Sequence, residues 1–423
     1  MNPALSLRAS PAIAENLPVS IPLLCCSSSF DGGGSERQLW QLASGISRRA
    51  FSPSVYLLHR RGPYLDRLDC NTPVYDYFSS HQESLLNKIP GQIHRRQVAH
   101  LTATLERART QVVYDRTYHL TLLTAPACRS AKVARVSVIV SPPSQDFENA
   151  TERFKWQKRR QLRAAYADPK SLALAVSDAV ARDAENYFRL PAGTVRVVPS
   201  PIDIESVGKQ ATEALPEVIK QAIAPEQWGR TFCVVGRMSA EKGQRLAIAA
   251  LAKLVHRVPD ARLILVGDGP MRQSLIQQAE QLGVSANVVM PGFVANPYPI
   301  IQRSAGAIVP SQYEGLPNVI LEAFVLGTPV IATKCSESVE GLLDEQRGTL
   351  VKQNDSEQLQ QAMARLIEQT RDSPEVIRHQ TDLARGYVKE RHSLVSWLVT
   401  MEDLLKEQHD RFQALNSAGS GDG

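Results

Sequence analysis

Short unbroken apolar runs alternate along this chain with longer stretches in which apolar residues recur every three or four positions. The first runs fall at Val19–Cys26, Val55–Leu58, Gln111–Tyr114, Val133–Val140, Ala173–Ser177 and Val195–Val198. A second set begins at Phe232 and continues through Arg262–Val266, Asn287–Met290, Ala307–Val309, Pro329–Ala332 and Gly348–Val351. Apolar runs without polar alternation predict strands covered on both faces, as in parallel sheets. The stretches between them, such as Glu36–Arg49 and His94–Arg109, predict helices. Strands alternating with helices give an α/β class with doubly wound sheets. A chain of 423 residues exceeds one ordinary core and fits two domains. The expected layout is a disordered leader over 1–18, a first domain over 19–204, a linker over 205–228 and a second domain over 229–390. The linker reading rests on Pro201, Pro216 and Pro225 within Pro199–Trp228. Residues 59–110 predict little beyond one helix.

The densest chemistry lies in Glu314-Gly315-Leu316-Pro317-Asn318-Val319-Ile320-Leu321-Glu322-Ala323. Pro317 belongs at a helix start, not inside one. Glu314 is therefore placed on a loop and Glu322 inside a helix that runs to about Leu326. Unpaired N–H groups at such a helix start favour an anion. Spacing alone fits two solvated surface acids as well as a site for a sugar and a phosphate. Upstream, the run Phe232–Val235 leads into Gly236-Arg237-Met238-Ser239-Ala240-Glu241-Lys242-Gly243 and then an amphipathic helix. Two cations on a loop after a parallel strand sit where open α/β sheets bind ligands. Arg presents a planar fork to phosphate oxygens and Lys a point charge.

Together the two segments resemble the family 4 glycosyltransferases, which move a sugar from a nucleotide donor with retention of anomeric configuration. The family's Gly-Arg…Glu-Lys-Gly turn, Glu-Gly-x-Pro and second Glu are matched at Gly236, Arg237, Glu241, Lys242, Gly243, Glu314, Gly315, Pro317 and Glu322. Gly32-Gly33-Gly34-Ser35-Glu36, Val176–Val180, Val266–Pro270, Pro291–Val294 and Gly327–Ala332 follow the family order. The likeness is dense from about residue 176 to 351 and thin in the first half. It implies the GT-B architecture, two Rossmann-like domains facing a central cleft, with a terminal helix (393–410) returning to the first domain.

The resemblance also implies roles. Arg237, Lys242 and Glu314 are the implied catalytic residues. The cations and loop N–H groups would stabilise the leaving diphosphate, and Glu314 would hold the sugar hydroxyls. Donor binding is implied for Gly33, Gly34, Gly236, Gly267, Asp268, Phe293, Gly315, Leu316, Asn318 and Glu322, with Glu322 on the ribose hydroxyls and the base near Phe293. The glycines of 32–34 would face the diphosphate across the cleft; read alone, they are a turn without the spacing of a dinucleotide site. Two departures stand out. The stretch Val138–Pro143 has no histidine where members often carry one, which leaves His119 as an acceptor-side substitute or merely an exposed loop residue. Ser200-Pro201 replaces a flexible Asn-Gly before Ile202-Asp203, a stiffer hinge.

Charge is uneven: residues 1–206 carry 26 Lys+Arg against 18 Asp+Glu, whereas the whole chain carries 48 against 43. The basic patch Thr151–Lys170 interleaves Phe154, Trp156 and Tyr166 with Arg153, Lys155, Lys158, Arg159, Arg160, Arg163 and Lys170. Such a segment fits peripheral contact with an anionic membrane, or a solvated helix face beside the cleft. No recognition motif accompanies it, so no nucleic-acid partner is expected. No apolar run approaches the ~18 residues of a membrane span. Six scattered cysteines without a C-x-x-C pair fit a reducing compartment. A cytoplasmic location is expected, at most peripheral at the inner face of the membrane. No cofactor is expected and, with no Asp-x-Asp motif, no metal is required. The function that follows is a retaining glycosyltransferase acting from a nucleotide-diphosphate sugar onto a glycan, lipid-linked or small-molecule acceptor. A sugar-nucleotide epimerase on the same fold, or a non-catalytic nucleotide-sugar-binding protein, is the alternative.

Overall fold

The structure, a computed structural model, describes residues 20–31, 33–79, 91–149, 154–344 and 346–418. The leader 1–18, Gly32 and the start of the basic patch, Thr151–Arg153, lie outside them. Two sheets organise the chain. The first comprises β1 (Ile21–Ser27), β2 (Phe51–Leu57), β3 (Val74–Asp76), β4 (Val112–Arg116), β5 (Ala134–Ile139), β6 (Ser171–Ala175) and β7 (Val195–Val197) in the order β3-β2-β1-β4-β5-β6-β7. The second comprises β8 (Thr231–Val235), β9 (Arg262–Val266), β10 (Val288–Gly292), β11 (Gly306–Val309), β12 (Val330–Thr333) and β13 (Thr349–Val351) in the order β10-β9-β8-β11-β12-β13. All ladders are parallel. These are the doubly wound sheets expected from the apolar runs, and the two Rossmann-like domains that the family resemblance implies. In both, strand order reverses beside the first strand, at β1/β4 and β8/β11, where such sheets place their ligands.

Helices on both faces explain why the strands read as unbroken apolar runs. Leu23, Cys25, Val112, Tyr114, Val136 and Val138 are buried on one side of the first sheet, and Leu24, Cys26, Tyr56 and Val113 on the other. The segment read as a linker folds into the helices Ile204–Ala211 and Glu217–Ala222, and its Val207, Ala211, Ile219 and Ile223 pack in the core of the second sheet. The last helix, Leu394–Ala418, places Trp397, Met401, Leu405 and Phe412 in the first core. Burying one large apolar side chain contributes about 1.5–3 kcal/mol, so this helix is a strong tie to the first sheet.

The chain crosses between the sheets twice, and the crossings bond to each other. Ile202 N–H donates to the His392 carbonyl at 2.8 Å, and Leu394 N–H to the Ile202 carbonyl at 3.1 Å. The His392 ring, 3% exposed, bonds through Nδ1 to the Ser200 carbonyl at 2.8 Å. A carbonyl only accepts, so Nδ1 carries a proton and donates to it. Burial pushes the His392 pKa below its ordinary value, although the bond to Ser200 opposes this. His94 and His119 are also lowered, each by burial first and Lys158 second. As pH falls below ~6.5 the unfolded chain takes up the proton of the buried His392 before the folded one, so stability is lost on acidification, by up to about 1.4 kcal/mol per pH unit. Urea midpoints at pH 7.5 and 5.5 should fall in that direction, and His392→Asn should reduce the difference.

Candidate functional site

The loops that leave the carboxyl ends of the strands in the two sheets face each other. In the second domain, β8 runs into Gly236 (φ +157°), and a Cβ at Gly267 would lie 2.1 Å from the Gly236 carbonyl oxygen. That close approach brings the loops after β8 and β9 side by side. Gly243, at φ +66°, makes a similar contact: a Cβ there would lie 2.0 Å from the Pro310 carbonyl oxygen. The loop 236–243 therefore lies directly on the loop after β11.

This contact joins the two motifs that the sequence shows separately. Lys242 ends the short turn Ala240–Lys242, and its Nζ reaches Glu314 Oε1 at 2.7 Å. Ser311 Oγ donates to the same oxygen at 2.7 Å. The two side chains are 31% and 11% exposed, so screening by water is weaker than for a surface pair. Arg237 behaves differently. Its side chain is 71% exposed and donates to Glu241 Oε1 at 2.9 Å, leaving the guanidinium on the open side of the loop. Burial raises the Glu241 pKa, but Ser239 and Arg237 outweigh it and hold the carboxyl below its ordinary value. Asp268 is exposed and turned onto its own loop, accepting from Gly269 N–H at 2.8 Å. Phe293, just after β10, is 64% exposed.

Pro317 caps the helix Asn318–Leu326, and Glu322 lies within it, 6% exposed. The first domain reaches this helix through its own helix Gly34–Gly45, which Gly33 caps. Gln38 Nε2 donates to Asn318 Oδ1 at 3.3 Å. A Cβ at Gly34 would lie 2.4 Å from Asn318 Nδ2, so glycine lets the two helix starts meet. Arg37 Nη1 donates to Glu322 Oε1 at 2.6 Å and to the Tyr298 hydroxyl at 2.9 Å. Sequence reasoning missed Arg37 and Tyr298. The available signal was a cation in the first turn of a helix, where the helix dipole disfavours it.

Gly315 and Leu316 complete the junction. A Cβ at Gly315 would lie 2.0 Å from the Val140 carbonyl oxygen of the first domain. Leu316 packs against the cores of both domains. The Ser177 hydroxyl bonds that of Ser338 at 2.7 Å. On the first-domain side, Thr117 adopts φ +74°, a rare conformation for a β-branched residue. Its loop is anchored from below by Asp115, fully buried, which accepts from Thr121 at 2.7 Å, Thr124 at 2.6 Å and Ser137 at 2.7 Å. Tyr118 and His119 follow, stacked at 4.0 Å. Where the family's histidine was sought, Ser141 donates to Asp146 at 2.6 Å. Thr117, Tyr118, Val140, Ser141 and Asp146 line a small recess at the ends of β4 and β5. Among the described residues, no cluster of metal-ligating side chains is present.

The second domain offers cations and a helix start to an anion and carboxylates to hydroxyl groups, and the first domain brings a further helix start and Arg37 up to them. Residues 32–206 match the family described as Glycosyltransferase Family 4, and residues 217–382 match the family described as Glycosyl transferases group 1. An uncharacterized glycosyltransferase of Methanocaldococcus jannaschii is 28% identical over 159 residues, 38% of this chain and 38% of its own length. The alpha-D-kanosaminyltransferase of Streptomyces kanamyceticus is 27% identical over 259 residues, 60% of this chain and 63% of its own. The matched segments thus span less than two thirds of these relatives. The fold extends further: the Anabaena protein HepE, crystallised with UDP and glucose, superposes with a TM-score of 0.73 at 22% identity, covering 91% of this chain and 99% of that one.

Proposed function

Because the chain belongs to the family 4 glycosyltransferases, also described as group 1, and has their two-domain fold, we propose that it transfers a sugar from a nucleotide-diphosphate donor to an acceptor with retention of configuration. The observation that carries this reading is the Lys242–Glu314 pair, held at 2.7 Å between the loops after β8 and β11. As the bond from sugar to phosphate breaks, negative charge grows on the diphosphate and positive character on the sugar. Lys242, the exposed fork of Arg237 and the N–H groups at the starts of the helices Gly34–Gly45 and Asn318–Leu326 act on the first charge. Glu314 holds the sugar and acts on the second. Glu322 takes the ribose hydroxyls, and Phe293, with its ring free to stack, receives the base. UDP-sugars are the first donors to test, since HepE was crystallised with UDP and glucose. Mass-spectrometric screening of UDP- and GDP-sugars against wild-type protein tests the reading; consumption of one donor is expected, and indifference to all of them overturns it.

The acceptor lies on the first-domain side, near Tyr118, His119 and Ser141. A membrane-borne acceptor is supported by the helix Lys155–Tyr166, where Phe154 and Trp156 are 57% and 66% exposed. Arg160 and Arg163 are exposed beside them, whereas Lys155 pairs with Glu148, Arg159 covers the Tyr187 ring at 4.1 Å and Lys170 bonds Asn416 at 2.7 Å. Among the described residues, no helix is long and apolar enough to cross a membrane. Each basic residue near an anionic surface contributes roughly 1 kcal/mol, so contact through this helix is weak and salt-sensitive. Phosphatidylserine vesicles should carry the protein into the pellet at low salt and release it at high salt, and Trp156→Ala should lower the bound fraction. Failure to pellet at low ionic strength would leave the segment a solvated helix face.

A further inference from the structure

We propose that Arg37 is a positioning residue for the nucleotide: it reaches from the first domain across the cleft and holds the Glu322 carboxylate in the orientation that takes the ribose hydroxyls. The inference rests on the nucleotide-sugar reading above.

Three observations carry it. First, Arg37 uses one oxygen of Glu322: Nη1 lies 2.6 Å from Oε1, and the second carboxylate oxygen keeps its own lone pairs for a ligand hydroxyl. Second, the guanidinium is itself held. The same Nη1 donates to the Tyr298 hydroxyl at 2.9 Å, and Tyr298 is 7% exposed with its backbone N–H on Asn296 Oδ1 at 3.1 Å. Burial alone would push the guanidinium pKa down, but Glu322 and Tyr298 more than reverse this and raise it. Third, the position makes little sense within its own helix, because a cation in the first turn meets the positive end of the helix dipole. The partner across the cleft explains the placement.

A free glutamate on a helix samples several side-chain rotamers. A charge-assisted bond from a fixed guanidinium removes that freedom before the ligand arrives. The contact also joins the two domains, since Arg37 follows Gly33 and Gly34 and Glu322 follows Gly315 and Leu316. The orientation of Glu322 is thus set only when the domains are apposed, so nucleotide binding and cleft closure share one bond. Arg37 touches no reacting atom in this arrangement. Its removal should therefore weaken nucleotide binding more than it slows turnover at saturation.

The test is isothermal titration with UDP and GDP on full-length wild type, Arg37→Ala, Arg37→Lys, Glu322→Gln and the double variant Arg37→Ala/Glu322→Gln. For whichever nucleotide binds wild type, Arg37→Ala is expected to weaken affinity by about tenfold or more, the range for a bond to a charged group. The donor KM should rise in parallel with little change in kcat, and Arg37→Lys should recover part of the loss. In the Glu322→Gln background, Arg37→Ala should have less than about a twofold effect, because a residue that acts through Glu322 has nothing left to orient. Tighter binding by Arg37→Ala would overturn the proposal by making Arg37 a competitor for the ribose site. An equal loss in both backgrounds would overturn it by making the role independent of Glu322. Absence of UDP and GDP binding by wild type would instead sink the nucleotide-sugar reading on which the proposal rests.

Discussion

Replacing Lys242 with alanine is expected to slow sugar transfer by about 10²–10³-fold, the effect of removing one preorganised donor to a developing charge, ~2.7–4 kcal/mol of barrier. Two consequences of the substitution act in the same direction. The cation that would meet the leaving diphosphate disappears, and Glu314, only 11% exposed, loses its counter-charge at 2.7 Å and keeps only the Ser311 hydroxyl among the described residues. An unpaired carboxylate in that place repels the phosphates that the site must attract. The fold should survive, because the Lys242 backbone N–H still donates to the Ser239 carbonyl and the turn is closed by Gly243 and not by the lysine side chain. Arg237→Ala should lose activity in the same direction, since the guanidinium pairs with Glu241 and is otherwise 71% exposed on the open side of the loop. The check is a nucleoside diphosphate release assay alongside a thermal melt. Wild-type turnover in both variants would remove the leaving-group role of the two cations.

Replacing Glu322 with glutamine is expected to weaken binding of the nucleoside diphosphate by about 1.5–3 kcal/mol, the worth of hydrogen bonds to a charged acceptor. The substitution keeps size and helix propensity but converts an acceptor-only group into an amide with donors of its own. It also leaves the half-buried Arg37 guanidinium, held against Glu322 and Tyr298, without its counter-charge. Removing one partner of a buried pair is costly because the other charge remains. The domain contact is therefore expected to loosen together with the binding. Titration with UDP should show the loss directly, and an unchanged dissociation constant would detach Glu322 from the ribose.

The sheets were legible because parallel strands are buried on both faces, and the apolar runs at β1, β4, β5, β8, β9, β11 and β12 stand out from the amphipathic helices between them. Short β3, Val74–Asp76, was not, since three half-buried residues at a sheet edge carry no periodicity. The prolines of 199–228 suggested an open linker, yet Val207, Ala211, Ile219 and Ile223 recur at helical spacing and bury in the second core. Proline there starts helices: Pro216 precedes Glu217–Ala222. Within the site, Lys242 and Glu314 could be named from the sequence, but not their mutual contact. That contact depends on Gly243 lying against Pro310, between segments more than 60 residues apart. The partner of Arg37 was hidden for the same reason at longer range, and its place in the first turn of a helix was the one signal it left. A helical cation next to Glu36 reads as solvated surface until the other domain is brought up to it.

The most direct measurement follows a panel of UDP- and GDP-sugars incubated with wild type and Lys242→Ala, reading nucleoside diphosphate by chromatography and the released or transferred sugar by proton NMR. Expected is one donor converted by wild type to nucleoside diphosphate and a sugar of unchanged anomeric configuration, about 10²–10³-fold more slowly by Lys242→Ala. An isomerised sugar nucleotide in place of free diphosphate, an inverted product, or equal rates for the two proteins would contradict retaining transfer driven by Lys242 at the leaving group.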